Sequence, residues 1–78
     1  MIEYYTVKES FYTEGVGSYT AYGIGVCEND RCGRKTLNYI PDVFLHKQEA
    51  EQLVALCNHL GLDPMHLYDV VEDAVSGL

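Results

Sequence analysis

Seventy-eight residues, 47% of them apolar, suffice for one hydrophobic core and exclude disorder by composition, but leave little stability to spare for a deep multi-residue active site. A formal charge of −7 disfavours direct contact with nucleic-acid or membrane phosphates, and no apolar run approaches the ~18 residues that a membrane helix needs. The opening Met-Ile-Glu-Tyr-Tyr lacks the basic and apolar regions of a secretory signal, so an intracellular, cytoplasmic location is expected, with the three cysteines as free thiols.

In chain order, residues 2–13 are rich in Tyr, Thr, Val and Phe, which suit a pleated, half-buried surface, and they predict a first strand. Glu14-Gly-Val-Gly17 is a turn signal. Residues 18–27 predict a second strand, and Glu28-Asn-Asp-Arg-Cys-Gly33 predicts a hairpin loop. Residues 34–40 predict a third strand that Pro41 stops, because proline cannot donate to the ladder. Short connections between successive strands predict an antiparallel meander. Alternation places Tyr22, Ile24 and Val26 on the core face of the second strand. Tyr5, Val7 and Phe11 are expected to join them from the first strand and Leu37 and Tyr39 from the third, with Tyr4, Thr6 and Lys8 facing out.

Over 47–60, Ala50, Leu53, Val54, Cys57 and Leu60 fall on one stripe and predict an amphipathic helix. His46 precedes it where Ser, Thr or Asp would cap better. Gly61 ends this helix, with Leu62 placed to fold back onto its last turn. Asp63 then caps a second helix that has Pro64 at its first position and runs through His66 to Val75. Leu67, Val71, Ala74, Val75 and Leu78 form its apolar stripe. The expected fold is therefore α+β: a single domain, 1–78, with a three-stranded antiparallel meander packed against a C-terminal αα-hairpin.

Charge is unevenly divided between these halves. Residues 1–40 carry four bases against five acids, whereas 41–78 carry Lys47 alone against seven acids, a net of −6. Two helices joined at Leu60-Gly61-Leu62-Asp63-Pro64 suggest a helix-turn-helix, but its second helix holds Asp69, Glu72 and Asp73 and no Lys or Arg. A recognition helix needs phosphate-contacting bases, so DNA reading is excluded and a packed αα-hairpin is expected.

The other catalytic and metal patterns also fall short. Cys27 and Cys32 across a hairpin loop, with Cys57 and His59 on a helix, have the soft ligands zinc prefers. However, residues two apart on a helix point roughly 200° apart, and Cys57 lies on the core stripe. His46, His59 and His66 could serve a cysteine nucleophile only in a geometry that the chain does not specify. Gly15-Val-Gly17 and Gly23-Ile-Gly25 match half of a phosphate-binding fingerprint, but no third glycine opens a helix behind them. Glycine in a strand marks instead a bulge, strong twist or the close approach of another backbone. Glu72 and Asp73 are solvated neighbours with no apolar wall to raise a pKa. No catalytic, cofactor-binding or metal-binding residues are assigned, and an enzyme is not expected.

What remains is an interaction surface. Six of the seven tyrosines lie within the first 39 residues. Tyr4, Tyr12 and Tyr19 are expected to form an aromatic patch beside bare backbone at Gly23 and Gly25, although tyrosine is also simply a good strand residue.

Tyr4-Tyr-Thr-Val-Lys-Glu9, Tyr19-Thr-Ala-Tyr-Gly-Ile24, Cys57-Asn-His-Leu-Gly-Leu62 and His66-Leu-Tyr-Asp-Val-Val-Glu-Asp73 together resemble a family of small uncharacterised bacterial proteins, associated with clostridial gut anaerobes and sometimes with their mobile elements. The resemblance implies one compact domain and no assigned activity.

The function expected from these features is non-catalytic binding of a protein partner with a basic surface, through Asp69, Glu72, Asp73, Tyr19, Gly23 and Gly25. In its concrete form the acidic helix mimics nucleic-acid phosphates and inhibits a host nucleic-acid-handling or defence enzyme. Self-association through the sheet edge or its outer face is a further mode open to the chain. The alternative is a small-ligand sensing or sequestering protein, with the ligand between sheet and helices or in a dimer cleft.

Overall fold

The computed structural model describes residues 1–76. Three strands, β1 (Ile2–Thr13), β2 (Gly17–Asp30) and β3 (Gly33–Phe44), form one antiparallel sheet in the order β1-β2-β3. Beyond the sheet come α1 (Lys47–Leu60), a single 3-10 turn (Pro64–His66) and α2 (Leu67–Val75). The α+β meander with two helices is the fold expected from the sequence. The second hairpin is tighter than expected: Asp30 pairs with Gly33, so only Arg31 and Cys32 form the turn. The Asp30 side chain accepts from the Cys32 N–H at 2.8 Å, an Asx turn.

The short first turn sets the faces of β1. Thr13 pairs with Gly17, which makes even residues of β1 oppose even residues of β2: Tyr4 faces Val26, Thr6 faces Ile24 and Lys8 faces Tyr22. Residues directly opposite share a sheet face. Tyr22, Ile24 and Val26 do point toward the helices, as expected, but on β1 the assignment is reversed. Tyr4, 3% exposed, joins Ile24, Val26, Ala50, Leu53, Cys57, Leu67 and Val71 in the core. Tyr5, Val7 and Phe11 lie on the far face. A one-residue difference in register turns every side chain over, and strand alternation alone does not determine register. Tyr39 is likewise on the far face, opposite Gly25, while Ile40 opposes Ile24 on the helix side. Leu37 sits in a register shift between Asn38 and Thr36 and is exposed.

Pro41 does not end β3. The strand is an outer one, where a missing N–H is tolerated, and it continues to Phe44 through a bulge. Ile24 opposes Ile40 and Tyr22 opposes Phe44, so Pro41, Asp42 and Val43 all stand against Gly23. Asp42 takes a left-handed conformation, φ 56°, which aspartate accepts more readily than most residues.

The boundaries of α1 match the expected ones, and His46 provides no side-chain cap. At its other end Gly61 (φ 61°) donates to the Asn58 carbonyl at 3.3 Å and Leu62 to the Cys57 carbonyl at 3.0 Å, a Schellman closure. This closure is fastened to the sheet by Tyr4. The Asn58 carboxamide accepts from the Tyr4 N–H at 2.8 Å and donates to its carbonyl at 3.0 Å, and the Tyr4 hydroxyl donates to the Leu62 carbonyl at 2.7 Å.

Burial, then the nearby Cys57 and Asp63, holds the Tyr4 phenol above its ordinary pKa, and burial raises the Cys57 thiol. Both groups therefore keep their protons more tightly folded than unfolded. Their contribution is complete below the unfolded values and is lost as pH rises through the folded ones. Thermal stability measured by circular dichroism should accordingly fall above about pH 9, where thiols and then phenols ionise in the unfolded chain. Tyr4→Phe should cost about 1 kcal/mol at neutral pH through the lost hydrogen bond and should flatten the decline above about pH 10. An unchanged alkaline slope would rule out Tyr4 as its source.

Candidate functional site

The strip of sequence after Ile40 and the face of α2 opposite it form an open cleft. Its sheet wall is the bulge, Ile40, Pro41, Asp42 and Val43, and its helix wall is Tyr68, Val71, Glu72 and Val75. The volume is about 320 Å³. The bulge is held in shape from the far side of the sheet: the Tyr19 hydroxyl donates to Asp42 Oδ2 at 2.9 Å. That bond is also the main reason the Tyr19 phenol is held above its ordinary pKa. Bulges re-aim side chains at the rims of sheets: here Val43 packs against the core, while Asp42 borders the cleft with its carboxylate bonded to Tyr19.

Asp63 starts the helical wall as expected. Its side chain accepts from the Met65 N–H at 3.0 Å with Pro64 behind it, although the first turn is 3-10 and α2 proper begins at Leu67. Leu67 and Val71 are buried. The stripe expected to continue through Ala74 and Val75 does not seat: Ala74 is exposed and Val75 is 57% exposed. Leu78 lies outside the described residues. The unseated turn is what leaves the cleft open, and a second hollow, lined by Phe44, Glu49, Leu53 and Ala74 among others, continues toward α1.

Asp69, Glu72 and Asp73 are all exposed. Their i, i+3, i+4 spacing groups them on one side of α2. Glu72 reaches the cleft, where Asp42 stands on the opposite wall. The site thus has an apolar floor of Ile40, Val43, Val71 and Val75, with Glu72 on the helix wall and Asp42, its carboxylate engaged by Tyr19, on the sheet wall. Tyr68, 61% exposed, also lines the cleft. Asp42, Tyr68 and Val43 do not stand out in the sequence. The Pro41-Asp42 pair is the available signal, but a proline there reads equally as a strand end.

The expected aromatic patch of Tyr4, Tyr12 and Tyr19 does not form. Tyr4 is in the core, and Tyr12, 74% exposed, stands across from Ser18 on the helix-side face beyond the core. Tyr19 is half-buried on the far face and stacks on Phe11 with ring centroids 5.5 Å apart. Gly23 and Gly25 are buried, not bare: the Tyr39 ring lies over Gly23 and the Tyr5 ring over Gly25. The Arg34 guanidinium sits 4.6 Å from the Tyr5 ring centroid and donates from Nε to Cys27 Sγ at 3.1 Å. Tyrosine rings lying flat across β2 need glycine beneath them, which accounts for the Gly-Ile-Gly spacing structurally.

The cysteines are dispersed. Cys27 is buried beneath Arg34, Cys32 is exposed at the hairpin tip and Cys57 is in the core, while His59 is exposed. Among the described residues, no three or more His, Cys, Asp or Glu side chains are grouped so as to hold a metal ion, and no helix is long and apolar enough to cross a membrane.

A twisted meander backed by two helices, with an acid-rimmed cleft at its outer strand, is a small α+β architecture that places a surface rather than an enclosed pocket on view. The chain belongs to a family of unknown function, DUF6514, whose model matches residues 1–77. No curated protein and no solved structure matches it.

Proposed function

We propose that this protein is a small, acidic, non-catalytic binding module that docks a basic segment of a protein partner along α2 and the β3 bulge. The observation that supports this reading is the cleft: an apolar floor bordered by Glu72, with Asp69 and Asp73 exposed on the same helix. Lys and Arg side chains lay their aliphatic stems on apolar surface and keep their charged heads at its rim. A segment that alternates basic and apolar residues would satisfy both parts of the site at once, and the −6 charge of residues 41–78 would speed its arrival. The concrete form is phosphate mimicry: the acidic face occupies a groove that otherwise holds nucleic acid, as an inhibitor carried by a clostridial mobile element would do. A small ligand is the weaker reading, since an open cleft at the lower end of ligand-pocket volumes covers too little of such a molecule.

The test is titration of a synthetic Lys/Leu peptide, and affinity purification from native cells, with the wild type and with Asp69→Lys/Glu72→Lys/Asp73→Lys. Three exposed ion pairs of about 0.5 kcal/mol each predict at least a tenfold loss of affinity on reversal, and capture that weakens between ~0.1 and ~1 M salt. Peptide binding unaffected by reversal, together with a partner retained equally at ~1 M salt, would overturn the reading. A small mass retained in native mass spectrometry would favour the ligand instead.

A further inference from the structure

The other margin of the molecule is β1, an outer strand of twelve residues. Met1 and Asn29 exchange both main-chain bonds, each 2.8 Å. The odd residues of β1 therefore bond to β2, and the even ones direct their N–H and C=O outward. At Tyr4 the outward pair is already taken: the Asn58 carboxamide bonds both groups as a neighbouring strand would. Beyond it, the outward groups of Thr6, Lys8, Ser10 and Tyr12 are paired with no strand among the described residues. An outer strand with a free row of this kind is a template for another strand.

We infer that this row pairs with the same row of a second copy, antiparallel and two-fold, centred on Ser10. Charge decides the register. Centring on Val7 would bring Ser10 of one copy against Tyr4 of the other, where Asn58 blocks it. Centring on Lys8 sets two ammonium groups directly opposite, and centring on Glu9 sets two carboxylates opposite on the far face; like charges in these positions destabilise a sheet. Centring on Phe11 leaves only Ser10 and Tyr12 to bond. With Ser10 at the axis, Lys8 meets the Tyr12 ring of the other copy and Glu9 meets Phe11, with no like charges opposed. The exposure of Tyr12 and Lys8 on the helix-side face, beyond the core, leaves room for this contact. A net charge of only −1 over residues 1–40 lets this half approach its copy, whereas the acidic half could not. The cleft lies at the opposite margin, so the dimer would present two acidic sites, and its existence does not depend on what they bind.

Sedimentation analysis at about 100 μM chain should give a dimer. Ser10→Lys, and separately Ser10→Glu, should each give a folded monomer by circular dichroism, because each places like charges across the axis at an outward, exposed position. Mixing the two variants should restore a heterodimer. A monomeric wild type, a dimer that persists in both variants, or a mixture that fails to associate would overturn the inference.

Discussion

Leu67→Ala should lower stability by about 3 kcal/mol, within the range for truncating a buried leucine. In a domain of this size that corresponds to a fall of roughly 15 °C in Tm. Leu67 has no exposed surface, and its weight comes from how few residues anchor α2. The helix has nine residues, too few to hold itself together in water, so its persistence depends on packing. Leu67 and Val71 are its buried residues, with Val70 half-buried beside them. Removing the first leaves a void between the 3-10 turn and the sheet and loosens everything C-terminal to it. Amide exchange should accelerate from residue 67 onward, and Lys/Leu peptide binding should weaken even though Asp69, Glu72 and Asp73 are intact, because the cleft loses its helical wall. Charge reversal on α2 should also weaken binding, but at unchanged Tm. A change in Tm below about 4 °C for Leu67→Ala, equivalent to under 1 kcal/mol, would show that α2 is not packed as described.

The elements that depend on nearby residues were legible in the sequence. The apolar stripe and Gly61 determine α1, and Asp63-Pro64 starts the second helical segment, because caps and periodicity act within a few residues. The faces of β1 and β3 were not legible from alternation, since facing depends on which residue of the neighbouring strand lies opposite, and a three-residue loop decides that for Tyr4 and Tyr5. The cleft depends on two longer-range facts. Pro41 is compatible with an outer strand, and the bulge at Pro41–Val43 is stabilised by Tyr19 across the sheet, a partner 23 positions away. The acids of α2 were identified by composition, but Asp42, which lines the sheet wall of the site, becomes visible only once β3 is bent. Gly23 and Gly25 stood out as unusual in a strand, but neither bare backbone nor the approach of another backbone anticipates the rings of Tyr39 and Tyr5 that cover them.

Gly23→Ala is the sharpest test of that cover, and it should cost about 2–3 kcal/mol through overpacking. A methyl group at residue 23 would lie 2.7 Å from the Ile40 carbonyl oxygen and 2.7 Å from both Cε1 and the hydroxyl of Tyr39. The ring can swing away, but the carbonyl cannot move without shifting β3 at the residue that begins the bulge. At Gly25 the added methyl would meet the Tyr5 ring alone among its nearest neighbours, so Gly25→Ala should be milder as the ring tilts. Tyr39→Ala in the Gly23→Ala background separates the two obstacles: it should recover part of the lost stability and leave the share that belongs to Ile40. Tyr39→Phe by itself should be close to neutral, since the Tyr39 hydroxyl is buried without a hydrogen-bond partner among the described residues and its removal strands no other group. Full recovery in the double variant would mean that the ring alone excludes a side chain at position 23. Partial recovery, accompanied by weaker Lys/Leu peptide binding, would connect Gly23 through Ile40 to the wall of the cleft.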